Sequence, residues 1–171
     1  MKTSTIAIAA FAAVIAPIFA LAADTSMPAV GAGPNGYDWF AGTWTCTNTM
    51  APSKLGALPS TTLTATKLKD GSIFFHTTSP NGDVTFYYTY LPKTNEWFSP
   101  FSDSGGYYGY ESTRQSGKTI HFTGMFYEPS GAVVPIRDTF TMITMRKQLD
   151  VSEAKAGGAW KTTARTTCTK S

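Results

Sequence analysis

The stretch WFAGTWTCT, residues 39–47, holds two of the chain's four tryptophans and one of its two cysteines. Successive side chains of an extended strand point to opposite sides. From Gly42 onward, Trp44, Cys46 and Asn48 therefore share one face, and the intervening threonines share the other. Trp39 and Phe40 come just before this strand. Asp38 is placed to cap a short turn of helix, which would press Trp39 or Phe40 under one mouth of a sheet. Gly42 would let the backbone bend sharply into the strand.

The partner available to Cys46 is Cys168, in the last segment of the chain. An even cysteine count in an exported protein is read as a disulfide, and two cysteines this far apart show no zinc-ligand spacing. Export is indicated by the N-terminus. Lys2 is followed by an apolar run, Ile6 to Leu21, interrupted by Pro17, and then by the small-x-small pattern Ala20-Leu21-Ala22. This is the layout of a signal peptide cleaved near Ala22, which predicts a secreted or periplasmic protein. No later segment is apolar for long enough to span a bilayer. Residues 1–22 are thus read as the leader, 23–36 as a flexible Pro/Gly-rich lead-in, and 37–171 as one domain. About 150 residues remain after cleavage, enough to bury roughly two thirds of their unfolded surface. The net charge is +3, one unit of it from Lys2, and the basic residues are scattered. No nucleic-acid partner is expected from such a pattern.

Turn signals recur at short intervals from Asp70-Gly71 to Gly157-Gly158. Between them lie short runs of Thr, Tyr, Phe, Val and Ile, which favour strands. Ten strands are predicted, near 43–49, 61–69, 72–79, 84–91, 96–101, 107–113, 118–127, 133–145, 148–154 and 159–169. Links this short join antiparallel neighbours only. The longer link at 50–60, with two prolines, is either a lid or a loose connection. Residues 149–157 would also suit a helical turn. A ten-stranded meander leaves two free edges unless it closes. The expected fold is therefore all-β, an up-and-down antiparallel barrel, with a two-sheet β-sandwich as the alternative. Closure would pair the first strand with the last and set Cys46 against Cys168. On the last strand Trp160, Thr162, Ala164, Thr166 and Cys168 share a face, so Trp160 joins Trp44 inside unless a bulge intervenes.

The Gly42-x-Trp44 pattern at the start of the first strand, preceded by aromatic residues, resembles the N-terminal signature of the calycin superfamily. That group contains lipocalins, fatty-acid-binding proteins and nitrobindin-like barrels. The stretches YLPKTNEWF and GGYYGYES, within 90–112, and the final GGAWKTTARTTCTK are similar to secreted, functionally uncharacterised bacterial members on its ten-stranded, nitrobindin-like side. The resemblance implies an Arg near the end of the barrel that packs over Trp44. Arg165 is nearest in order, although alternation directs it outward. The resemblance also implies haem held by a histidine close to the C-terminus. The last strand has no histidine, so no cofactor is expected.

His76 and His121 are the only histidines, each within a predicted strand. They form either a pair lining a cavity or two unrelated positions. Glu111 and Arg137 are the candidate buried polar groups. Most carboxylates fall in turns, and Asp138 lies on the opposite face from its neighbour Arg137. There is no nucleophile elbow, phosphate loop or His-x-x-x-His, so no catalytic residue and no metal ligand is assigned. The aromatic residues carry the functional reading. Phe74, Phe86, Tyr88, Tyr90, Trp97 and Tyr108 crowd the middle strands. With Trp44, Trp160, His76, Glu111, His121 and Arg137 they are the candidate lining of an interior that binds a small hydrophobic molecule. One alternative is a filled barrel acting as an envelope interaction domain. Another is a barrel isomerase or cyclase, using an inward pair made of His76 or His121 with Glu111 or Arg137. A void of roughly 300 Å³ or more would favour the binder.

Overall fold

The computed structural model describes residues 33–50, 60–78 and 82–171. The expected leader, most of the expected lead-in and most of the 50–60 link lie outside them. A short 3-10 helix, Asp38–Phe40, leads into ten strands: β1 Gly42–Asn48, β2 Ser60–Lys67, β3 Ile73–Thr78, β4 Val84–Leu91, β5 Glu96–Asp103, β6 Tyr108–Thr113, β7 Thr119–Tyr127, β8 Val133–Thr144, β9 Lys147–Ala156 and β10 Ala159–Lys170. Each strand pairs antiparallel with its sequence neighbours, and β1 pairs with β10, so the sheet closes as one barrel. The sandwich alternative is thereby excluded. Residues 149–157, which also suited a helical turn, belong mostly to β9. No helix among the described residues is long and apolar enough to cross a membrane.

The seam is where the alternation placed it. Cys46 stands opposite Cys168 in the β1–β10 register, and the two are joined in a disulfide that closes 122 residues. Both lie on the inner face and are buried. The bridge joins the two paired strands that lie farthest apart in sequence, where loop closure costs most entropy.

One end of the barrel is plugged. Trp39 and Phe40, on the short helix, and Tyr37 just before it are all buried. They pack in a ring cluster whose centroid distances include 3.9 Å for Trp39–Phe40 and 4.6 Å for Tyr37–Trp97. The expected cap by Asp38 is not formed. Asp38 lies within the helix, whose N-cap is Tyr37 with no side-chain hydrogen bond, and the Asp38 carboxylate pairs with Lys67 instead. Gly42 has φ +131°, a backbone conformation that side-chain-bearing residues rarely adopt, and so turns the plug into β1. Trp44 is fully buried beneath it, and its indole N–H donates to the Phe40 carbonyl at 2.7 Å. The basic residue over Trp44 is Lys170, not Arg165. Its Nζ lies 5.4 Å from the ring centre and donates to the Trp39 carbonyl at 2.9 Å. Lys170 faces Trp44 directly in the register, whereas Arg165 is exposed on the outer face.

Candidate functional site

The described residues do not fill the other half of the interior. A cavity of about 240 Å³ is lined by residues from the plug and from most of the strands. A second, of about 190 Å³, lies against it. The two share Val84, Phe86, Asp138 and Ser152. Each alone falls short of the roughly 300 Å³ expected of a small-molecule void; the two adjoin across those four residues. Asn48, Thr61, Thr77 and Thr166 line the larger cavity. They come from the strand ends opposite the plug, so the space lies toward that mouth.

The lining has two chemically different sides. Leu63 on β2, Phe75 on β3 and Phe86 on β4 supply an apolar wall, with Phe40 reaching down from the plug and Phe140 from β8. Facing it are Glu111 on β6, Asp138 on β8, and Gln148, Asp150 and Ser152 on β9. Glu111 is only 1% exposed and Gln148 2%. Asp138 and Asp150 keep some accessible surface, but it opens onto the cavity, and the barrel wall removes both from bulk water.

Glu111 is held by its neighbours. The Tyr88 hydroxyl donates to its Oε1 at 3.1 Å, and its carboxyl is within hydrogen-bond reach of Asp138. Two carboxyls can share a hydrogen bond only if one of them keeps its proton. Burial, followed by repulsion from Asp138, pushes the Glu111 carboxyl well above the ordinary range. Burial and then repulsion from Asp138 do the same for Asp150. Asp138 is raised by burial, with hydrogen bonds from Glu111 and Ser152 partly opposing the shift. Glu111 is therefore the protonated partner and Asp138 the acceptor. Burial and the nearby Glu111 also raise the Tyr88 phenol.

Gly124 sets the position of Glu111. The two face each other in the β6–β7 register. A Cβ on Gly124 would lie 1.8 Å from the Tyr110 carbonyl oxygen and 2.6 Å from the Glu111 Cα, so a side chain there would force the strands apart.

The expected lining residues divide into three groups. Phe86, Tyr88 and Glu111 line the cavity. Trp44, Trp97 and Tyr90 face inward but belong to the ring packing at the plugged end. Phe74, His76, Tyr108, His121, Arg137 and Trp160 lie on the outer face. His76 and Phe74 flank Phe75, which faces the cavity, and the His76 imidazole Nε2 is 3.3 Å from Asp83. The His121 ring Nδ1 lies 2.9 Å from the Thr139 hydroxyl. Neither histidine meets Glu111 or Arg137, so the inward pair considered for an enzyme is not formed. Tyr108 is exposed and stacks on Tyr127 at 4.9 Å.

Trp160 lies outside because β10 carries a bulge. The register slips between Thr162 and Ala164, which moves every residue before the slip to the other face. Trp160 then lies beneath the Arg137 guanidinium, 4.6 Å away, while the Arg137 Nε donates to Glu153 at 2.6 Å. These three form an outer-face cluster in which Glu153 holds Arg137 against the indole.

Asp138, Gln148 and Asp150 were not expected at the site. Strand β9 inverts the usual pattern: Gln148, Asp150 and Ser152 point inward, while Leu149 and Val151 alternate with them. A reading that assigns apolar residues to the core sends β9 the wrong way. Asp138 did carry a usable signal, since it sits between Ile136 and Phe140 at strand spacing. Among the described residues no group of three or more His, Cys, Asp and Glu could hold a metal ion. Comparison with protein-family models and with curated proteins returned no match for this chain.

Proposed function

We propose that this is an exported barrel of calycin-like architecture that binds a small, largely apolar molecule through the mouth opposite the plug. The observation that carries this reading is the pair of adjoining cavities left inside a barrel whose other end is tightly filled. Phe40, Leu63, Phe75, Phe86 and Phe140 offer it an apolar surface, the lining typical of ligand pockets. The disulfide suits an oxidising compartment, in keeping with export. The unfilled space weighs against a barrel that serves only as an envelope interaction domain.

Purified mature protein is expected to take up an apolar fluorescent probe and to release an apolar passenger when a denatured extract is analysed by mass spectrometry. A clean extract together with no probe uptake would sink this reading.

A second reading has one observation in its favour. Glu111 and Asp138 share a proton in a secluded space, the arrangement used for general acid catalysis. It would make Glu111 the proton donor of an isomerase or cyclase. Turnover of a bound ligand that disappears in Glu111→Gln while binding persists would select it.

A further inference from the structure

The larger cavity contains an excess of hydrogen-bond acceptors. Gln148 Oε1 and Asp150 Oδ1 are buried side-chain oxygens with no hydrogen-bond partner among the described residues, and both residues line this cavity beside the Glu111–Asp138 pair. Gln148 adds an observation independent of the carboxylates. It is a neutral amide, 2% exposed, whose unsatisfied atom is again an acceptor. A buried polar atom without a partner is costly, and nearly all such atoms in folded proteins are paired. Two of them in one cavity, beside a carboxyl pair, define what is missing, namely donors.

The missing donors also carry charge. Among the described residues no lysine, arginine or histidine lines either cavity. The titratable groups that act on the site are Tyr37 before the short helix, Tyr88 on β4, Glu111 on β6, Asp138 on β8, and Asp150 and Glu153 on β9. All are neutral or negative. Glu111 and Asp150 also repel one another. A cation would relieve that repulsion, and an alkylammonium offers three N–H donors and no acceptor. A metal ion is a weaker candidate because the carboxylates are not grouped as a ligand set.

We propose that the ligand is a primary or secondary organic amine in its cationic form. Its ammonium head sits against Glu111, Gln148 and Asp150, and its apolar or aromatic body lies on the Leu63, Phe75 and Phe86 wall. This deepens the binder reading and rests on it. The two-sided lining is the geometric argument, because acceptors and rings face each other across a single space. The Glu111–Asp138 pair supplies the negative charge, since an arriving cation favours release of the proton the two share.

The test uses three probes of nearly equal size, 2-phenylethylamine, 2-phenylethanol and 3-phenylpropanoate, titrated calorimetrically into disulfide-intact protein at neutral pH. The amine is expected to bind at least about tenfold tighter than the alcohol, the scale of one charge-assisted hydrogen bond, and the carboxylate is expected to bind more weakly than both. Glu111→Gln and Asp150→Asn should each weaken the amine by about tenfold and leave the alcohol within about twofold. Equal binding of amine and alcohol overturns the cation assignment and leaves the binder reading standing. No binding of any probe overturns both. Stabilisation by calcium chloride alone, with displacement of the amine, replaces the amine with a metal site. The wild-type comparison decides the matter even if a variant does not fold.

Discussion

At the end of the barrel where β1 begins, Tyr37, Trp39, Phe40, Trp44 and Trp97 fill the interior with rings. The indole of Trp44 and the ammonium of Lys170 both find backbone carbonyls there. At the end where β1 finishes, the same ten strands enclose empty space walled by rings on one side and carboxyls on the other. Both ends leave buried polar atoms without partners, the Tyr37 hydroxyl and Trp39 indole N–H at the plug and Gln148 Oε1 and Asp150 Oδ1 at the other end, but Gln148 and Asp150 face a cavity whereas the plug residues are packed among rings. Close packing and paired hydrogen bonds stabilise a fold. Cavities and unpaired buried acids weaken it. The barrel thus concentrates stability at one mouth and leaves the other mouth strained in a way that a suitable ligand would relieve.

The sharpest way to break this contrast is to open the seam that both halves share. Reduction, or Cys46→Ser, should lower unfolding free energy by up to roughly 4 to 5 kcal/mol on the chain-entropy model, measured by urea unfolding with and without reductant. An unchanged midpoint after complete reduction would mean that the bridge contributes nothing.

Next comes a pair of phenylalanines on opposite sides of the contrast. Phe40 is 1% exposed and packs against Phe75 and Phe140. Phe40→Ala should therefore cost about 3 to 4 kcal/mol. Phe86 is only partly buried, because one side of its ring faces the void, and Phe86→Ala should cost about 1 kcal/mol. Equal losses in the two variants would erase the distinction between plug and pocket.

The smallest expected effect has the opposite sign. Glu111 is held above the ordinary carboxyl range by burial and by Asp138. The folded protein therefore binds a proton more tightly than the unfolded chain does. That stabilising contribution is complete below about pH 4, the ordinary carboxyl value, and is lost as pH rises toward the native-state value. Glu111→Gln removes the loss, and its amide oxygen can still accept from Tyr88. The variant should gain about 1 kcal/mol at mildly alkaline pH and nothing in acid. Melting curves taken across the pH range would show it; a variant destabilised equally at every pH would contradict the assignment of Glu111 as a strained acid.

Much of the architecture was legible in the residues. All ten strands, their meander order, the pairing of Cys46 with Cys168 and the inward turn of Trp44 follow from short turns, alternation and the need to close free edges. The candidate site was less legible. Phe86, Tyr88 and Glu111 were among the candidates, but so were outward residues such as Phe74 and Tyr108, because aromatic residues on both faces of these strands left the inner face open in the sequence. Trp160 was misplaced by one extra residue in β10, which leaves no trace in the run Thr162-Thr163-Ala164. Asp150 and Gln148 were hidden because Leu149 and Val151 claim the core on any hydropathy argument.

The amino-acid order by itself determined the strands, the turns and the closure, because these follow from local backbone preference and from a two-residue period that each segment carries within it. Only the tertiary structure decided which face of β9 and of the start of β10 points inward. It alone placed Lys170 rather than Arg165 over Trp44 and brought Glu111, Asp138 and Asp150 into one chamber. The physical reason is that a strand's alternation specifies two faces and leaves open which is the inner one. That choice is made jointly by the neighbours it pairs with, and a single bulge reverses it.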